Sequence, residues 1–123
     1  MISFERFVPE EGVPIYLQIL RYVKREAVAG LIRDGDELPS RRVLSALLGV
    51  NPNTVQKAYR MLEEESLIQS HTGTASLMQL SDAKLAQLRT ELLEADALRA
   101  IRALQQMGLT RDEVTALIDK YWE

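Results

Sequence analysis

The sequence predicts a mostly α fold: an N-terminal winged helix-turn-helix (three helices plus a short β-hairpin wing) followed by a C-terminal antiparallel two-helix dimerisation segment. Three observations predict it. Two amphipathic helical stretches are separated only by Gly49-Val50-Asn51, a glycine-containing turn of about three residues that marks a helix-turn-helix. Two short runs with strand character flank Thr72-Gly73, as a hairpin requires. Beyond them, residues 81–107 hold neither proline nor glycine and are dominated by Ala, Leu, Arg, Gln and Glu, which reads as one helix of about 26 residues and ~39 Å.

The first helix is expected to open with Pro14 at its first position. Ile15, Tyr16, Ile19, Leu20, Val23 and Ala27 then recur at three- and four-residue steps, with Arg21, Lys24, Arg25 and Glu26 between them on the polar side. Gly30 is the expected stop, and residues 31–38 read as a turn with at most one short strand. The second helix starts after Ser40, an N-cap directly following Pro39. It carries apolar Val43, Leu44, Leu47 and Leu48, and ends at Gly49, which takes a left-handed C-terminal position without steric cost. The third starts after Asn51, an N-cap with Pro52 behind it. Its inward stripe is Val55, Ala58, Tyr59 and Leu62, and its outward positions are Asn53, Thr54, Gln56, Lys57 and Arg60. Residues 66–69 and 74–78 are the expected strands of the wing.

Residues 1–78 are therefore assigned to the winged domain and 79–123 to the helical segment. The long helix has two apolar stripes, one through Leu85, Leu88, Leu92 and Ala95 and one through Leu93, Ala97, Ile101, Leu104 and Met107. Together they occupy more than one face, which one small globule does not cover. After Gly108, Thr110-Arg111-Asp112-Glu113 reads as a capping box, opening a last helix with Val114, Leu117, Ile118, Tyr121 and Trp122 on its apolar side. Leu85, Leu88, Leu92, Leu93, Ile101, Leu104, Leu117 and Tyr121 are the candidate dimerisation residues.

Composition limits the function classes. The chain has 123 residues, 46% hydrophobic and 27% charged, the balance of an ordinary folded domain. It has no cysteine and one histidine, which excludes a disulfide scaffold and a thiolate metal site. No apolar run approaches the roughly 18 residues of a membrane span, and the opening residues lack the pattern of a signal peptide. The expectation is a cytoplasmic protein that is not an enzyme and uses no cofactor or metal. The net charge is −3, yet residues 38–62 carry Arg41, Arg42, Lys57 and Arg60 and no acid. A locally basic surface lets an acidic protein meet a phosphate backbone.

The third helix carries the chemistry. A helix that reads DNA needs its first turn to face base edges and phosphates, with an apolar back to hold it on the domain. Asn51, Asn53, Thr54 and Gln56 supply amides and a hydroxyl there, able to pair with adenine edges or meet a thymine methyl. Asn51 caps the helix, and Lys57 and Arg60 suit phosphates. Arg41 and Arg42 stand in the first turn of the second helix, where the helix dipole disfavours cations, with Val43 at the third position instead of an acid. That pattern points to an external anion beside Ser40. Glu63-Glu64-Glu65 reads as solvated surface without partners. His71 has no second histidine or cysteine to share a metal with.

Three blocks resemble the GntR family of bacterial transcription regulators: Pro14-Ile15-Tyr16-Leu17-Gln18-Ile19, Gly35-Asp36-Glu37-Leu38-Pro39-Ser40-Arg41-Arg42-Val43-Leu44, and Leu48-Gly49-Val50-Asn51-Pro52-Asn53-Thr54-Val55-Gln56-Lys57-Ala58-Tyr59-Arg60-Met61-Leu62-Glu63. The resemblance covers residues 13–78, and the Asn-Pro-Asn-Thr-Val form is most similar to the YtrA-type subfamily, which has a short two-helix C-terminal part. It implies that Arg42 enters the major groove, that Asn53, Thr54 and Gln56 read bases, and that Gly73 forms the tip of a wing reaching the minor groove. The sequence departs from the family pattern at His71, where an arginine is common, at Ala75, which replaces the second wing glycine, and at Ser66, which replaces a glycine after the acidic triplet.

The expected function is sequence-specific regulation of transcription by a homodimer, most simply a repressor on a pseudo-palindromic double-stranded DNA operator. The subfamily resemblance suggests control of a transporter operon. A small effector, unidentified, would fit between the C-terminal helices and the winged domains. The alternative is a winged-helix protein-interaction module that does not read DNA, favoured by the overall acidity and the altered wing.

Overall fold

The computed structural model describes residues 1–70 and 75–123. Five helices and two strands follow in the order α1 (Ile15–Val28), α2 (Arg41–Leu48), α3 (Pro52–Glu64), β1 (Ile68–Gln69), β2 (Leu77–Met78), α4 (Asp82–Gln106) and α5 (Arg111–Tyr121). This is the mostly α, winged helix-turn-helix architecture expected from the sequence. The chain divides into two compact units, Met1–Leu88 and Arg89–Glu123.

In the first unit α3 is the central element, packed by α1 on one side and α2 on another. Its inward stripe is as expected: Val55, Ala58, Tyr59 and Leu62 are all completely buried. Ile19 and Val23 of α1 and Leu44 of α2 meet them, and each such side chain stabilises the fold by roughly 1.5–3 kcal/mol. Pro14 is the N-cap of α1 and not its first residue, with its carbonyl accepting from the amides of Leu17 and Gln18. Ser40 caps α2 by accepting from the Val43 amide, and Gly49 closes it in the left-handed conformation at φ 66°. Asn51 caps α3, accepting from the Asn53 amide at 2.8 Å.

Three expectations about burial are corrected. Val43 and Leu47 are 45% and 68% exposed. The eight-residue α2 presents Leu44, Ser45 and Leu48 inward, which leaves the Val43–Leu47 edge outside. Glu26, expected on the polar side of α1, is buried, because the N-terminal arm crosses that side and brings Arg6 to it. The arm itself was unforeseen: Ile2 and Phe4 are buried, and Phe4 stacks on Tyr22 with ring centroids 4.9 Å apart.

The two strands are shorter than 66–69 and 74–78. They pair antiparallel, Ile68 with Met78 and Gln69 with Leu77, and Thr74 lies outside the described residues. A third extended segment flanks β2 through a bridge between Glu37 and Leu77, with the Leu38 amide donating to the Ser76 carbonyl at 2.9 Å. The turn from α3 into β1 passes through Ser66 at φ 59°, the left-handed geometry that a glycine would take without strain. Its carbonyl accepts from Lys84 Nζ.

The long helix and the last helix form with the expected ends. Both halves of the Thr110–Glu113 capping box are present. Within α4 only Leu88 is buried, and α5 buries none of its residues.

Candidate nucleic-acid interface

The turn of three residues between α2 and α3 is held from inside. Ser45 Oγ donates to the Val50 carbonyl, and the Val50 amide donates back to the Ser45 carbonyl at 3.1 Å. With the turn fixed, the inward stripe of α3 orients its other face. Asn53, Lys57 and Arg60 are exposed and Thr54 and Gln56 half-exposed. Ser40, Arg42 and Asn51 are exposed as well. Neither α2 nor α3 has an acid in its first turn, so the positive ends of both helices are uncompensated by their own side chains.

A buried hydrogen bond ties the two helices at this end. Tyr59 Oη donates to the Pro39 carbonyl at 2.6 Å, one residue before the Ser40 cap. Burial pushes the Tyr59 hydroxyl well above the ordinary tyrosine range, with the nearby Arg41 guanidinium opposing in part, so the hydroxyl stays protonated as a donor. Lys57 has a partner that the sequence did not suggest. Its ammonium lies 3.9 Å from the centre of the Tyr16 ring of α1, a cation–π arrangement.

Arg41 and Arg42, adjacent in sequence, differ in surroundings. Arg42 is exposed. Arg41 turns toward the protein: its Nη2 is 3.3 Å from Glu63 Oε1 and its guanidinium carbon 5.2 Å from the Tyr59 ring centre. Its Nε is buried without a hydrogen-bond partner. The anion beside Arg41 is thus Glu63, from the same chain. Glu63 also accepts from Ser70 Oγ at 2.6 Å, and Ser70 Oγ is 2.7 Å from Ser76 Oγ. The reading of residues 63–65 as a cluster without partners is corrected for Glu63 and also for Glu65, which pairs with Lys24 at 2.7 Å. A charge run hides its partners when they come from other elements, 22 and 41 residues away.

His71 and Gly73 lie outside the described residues. Of the candidate dimerisation residues, Leu88 is buried in the first unit, Leu85, Leu92 and Leu104 are half-exposed, and Leu93, Ile101, Leu117 and Tyr121 are 52%, 47%, 39% and 69% exposed. Ile118 and Trp122 extend the exposed apolar surface.

The three-helix head, its fixed turn and its wing coincide with a known family. Residues 15–78 match the model of the bacterial regulatory proteins of the gntR family. The chain belongs to the GntR family. GntR proteins are transcriptional regulators and not enzymes, and DNA-binding regulation of transcription is the function that membership implies. Among similar proteins, the HTH-type transcriptional repressor YtrA of Bacillus subtilis is 34% identical over 90 residues, 68% of this chain and 69% of YtrA. A GntR family transcriptional regulator from Listeria monocytogenes superposes with a TM-score of 0.81 at 31% identity, covering 91% of this chain and 98% of that one. YtrA from Sulfolobus acidocaldarius, a GntR-family transcription factor, gives a TM-score of 0.54 at 29% identity, with 90% of each chain covered. Among the described residues, no helix is long and apolar enough to cross a membrane.

Proposed function

We propose that this GntR protein is a cytoplasmic homodimeric repressor that reads a pseudo-palindromic operator. Residues 1–78 are the DNA-binding domain and 79–123 the dimerisation segment. One observation carries the reading: the exposed face built by α2 and α3 presents Arg42, Asn53, Lys57 and Arg60 together with half-exposed Thr54 and Gln56, and its two helix starts hold no acid. Asn53, Thr54 and Gln56 read base edges, Arg42 enters the major groove, and Lys57 and Arg60 hold phosphates. Ser40 and Asn51 keep the two helix starts in place, and His71 and Gly73 act from the wing. Arg41 engages phosphate only when it leaves Glu63. The exposed apolar residues of α4 and α5 support pairing of two copies, whose separation sets the half-site spacing. The name of YtrA as a repressor supports the direction of control, and the subfamily resemblance supports a transporter operon as target under a small effector.

Selection of bound fragments from genomic DNA, followed by gel-shift titration of the recovered site, tests this. Wild-type protein is expected to retain a palindromic site as a dimer, and Arg42→Ala to lose it while sedimenting unchanged. Retained tight binding by Arg42→Ala, or enrichment of no site, refutes the assignment.

A further inference from the structure

The N-terminal arm, α1 and the segment that follows it line a half-open cavity of about 360 Å³. That size lies within the ~300–1,000 Å³ span of small-molecule sites. Its walls are of two kinds. Ile2 and Ile32 are buried apolar walls, and Leu31, 56% exposed, extends them. Glu26 also lines it, its carboxylate carried on a residue only 9% exposed. The Tyr22 hydroxyl beside it donates to the Ser3 carbonyl at 2.8 Å and holds the arm in place.

Glu26 has two polar neighbours, the Tyr22 hydroxyl and Arg6, and only Arg6 carries a positive charge. Arg6 Nη1 is 3.8 Å from Glu26 Oε2, beyond hydrogen-bond distance, and the Arg6 side chain is 71% exposed. A buried carboxylate is costly unless it is paired and hydrogen-bonded, and an exposed guanidinium at that distance compensates little. Asp36 and Glu5 also line the cavity, and so does Met1, which carries the α-ammonium, so three carboxylates stand against two cations among the lining residues. A cation bringing its own N–H donors would give Glu26 the charge-assisted hydrogen bonds that Arg6 does not. The apolar walls call for a hydrocarbon body on that cation.

We propose that this cavity binds a small organic monocation, a primary amine with a short apolar body, whose ammonium displaces Arg6 from Glu26. The position of the site makes the occupant an effector. Ile2 N donates to the Glu37 carbonyl at 2.7 Å, and Glu37 bridges to Leu77 of the wing. Three residues beyond Glu37, Ser40 caps α2 and precedes Arg41 and Arg42. An occupant beneath the arm therefore acts on the base of the wing and on the start of α2 together. This second step rests on the proposed reading of DNA, while the binding step does not.

The test uses the full chain with n-butylamine, 1-butanol and butanoate as probes, followed by backbone-amide NMR shifts at Tyr22, Leu31 and Asp36. Saturable shifts are expected with the amine at an affinity about tenfold or more above that for the alcohol, and none with butanoate. Glu26→Gln is expected to abolish the response. Arg6→Ala, at an exposed position that leaves the fold intact, is expected to tighten amine binding about two- to fivefold by removing the competitor. Equal binding of the alcohol, or unchanged or weaker amine binding by Arg6→Ala, overturns the site. In a gel shift on the selected operator, the amine is expected to change the apparent affinity of wild type and not of Glu26→Gln. Amine binding with no change in DNA affinity overturns the effector role, whereas absence of DNA binding in the amine-free control overturns the DNA reading and leaves the site standing.

Discussion

Replacing Tyr59 with phenylalanine removes one oxygen from the centre of the first unit. The ring is completely buried and remains in place, so no side-chain-sized cavity opens. What is lost is the 2.6 Å hydrogen bond to the Pro39 carbonyl, which leaves that carbonyl unpaired in a dry site. A lost buried partner of this kind costs about 1–3 kcal/mol. In a unit of this size each kcal/mol moves the melting temperature by ~4–8 °C, so a cost of 2 kcal/mol means a fall of roughly 8–16 °C. A second signature follows from the hydroxyl's raised pKa, caused first by burial. A neutral acid whose folded pKa lies above its unfolded one stabilises the fold fully below the unfolded value, near 10 for tyrosine. That contribution is lost as pH climbs from there toward the folded value. Wild type therefore loses stability in alkali that the variant never had, and the gap between them closes. Urea melts followed by far-UV circular dichroism at pH 7 and pH 11 measure both effects. The raised hydroxyl of Tyr22 is common to both proteins and cancels. A variant within about 0.3 kcal/mol of wild type at pH 7, below the cost expected for a buried hydrogen bond, refutes the reasoning, as does a gap that persists unchanged at pH 11.

Ser66→Gly is expected to stabilise the first unit by about 0.5 kcal/mol, because relief of the left-handed strain at φ 59° exceeds the entropy glycine adds to the unfolded chain; a melting temperature that falls contradicts this. With Lys57 and Arg60 of two protomers on phosphate, operator affinity is expected to follow salt with a logarithmic slope of about −4, and Lys57→Ala is expected to flatten it by about 2 while weakening all sequences alike. A wild-type slope of about −5 would mean that Arg41 abandons Glu63 for DNA, and a loss confined to one base variant would make Lys57 a base contact. Hydrogen bonds from the Thr110 backbone amide and the Thr110 side chain hold the Glu113 carboxyl below the usual glutamate range. Its contribution is therefore present above the ordinary glutamate value and is lost as pH falls through the lowered one. Amide-exchange protection in the first turn of α5 should drop in that acid window and not before, and Glu113→Gln should remove the dependence.

The parts legible in the sequence were those governed by local chemistry. Ser40, Asn51 and Thr110 cap because each competes for the free amides of its own first turn, and the α3 stripe is buried in the register its spacing dictated. The parts that were not legible depend on contacts between distant segments. Glu26 sits on the charged side of α1 by periodicity, and only the arm, some 20 residues earlier, buries it. Glu63 and Glu65 read as solvent-facing because Arg41 and Lys24 are remote in sequence. Val43 and Leu47 fit an apolar stripe, but they form one edge of it, and the eight-residue helix packs through the other edge, Leu44, Ser45 and Leu48. The arm did leave a trace: both phenylalanines of the chain fall within its first seven residues, an aromatic density that a free tail has no use for.

The two units divide the work according to what each can stabilise alone. The first has a closed core around α3, capped helices and a braced turn, so the α2–α3 face proposed to read DNA is preorganised. The second has no such interior. The eleven residues of α5 bury no side chain, and isolated helices shorter than about 12–15 residues are marginal in water. A capping box contributes on the order of 1 kcal/mol, too little to order such a helix unaided. Its stability must come from apolar surface covered by something other than the residues packed around it within one chain. The residues that offer that surface, Leu117, Ile118, Tyr121 and Trp122, are attached through α4 to the first unit. Covering them with a second copy would supply the missing interior and a second head in one step. On the proposed reading, folding of the tail and competence to grip a two-fold operator are therefore the same event.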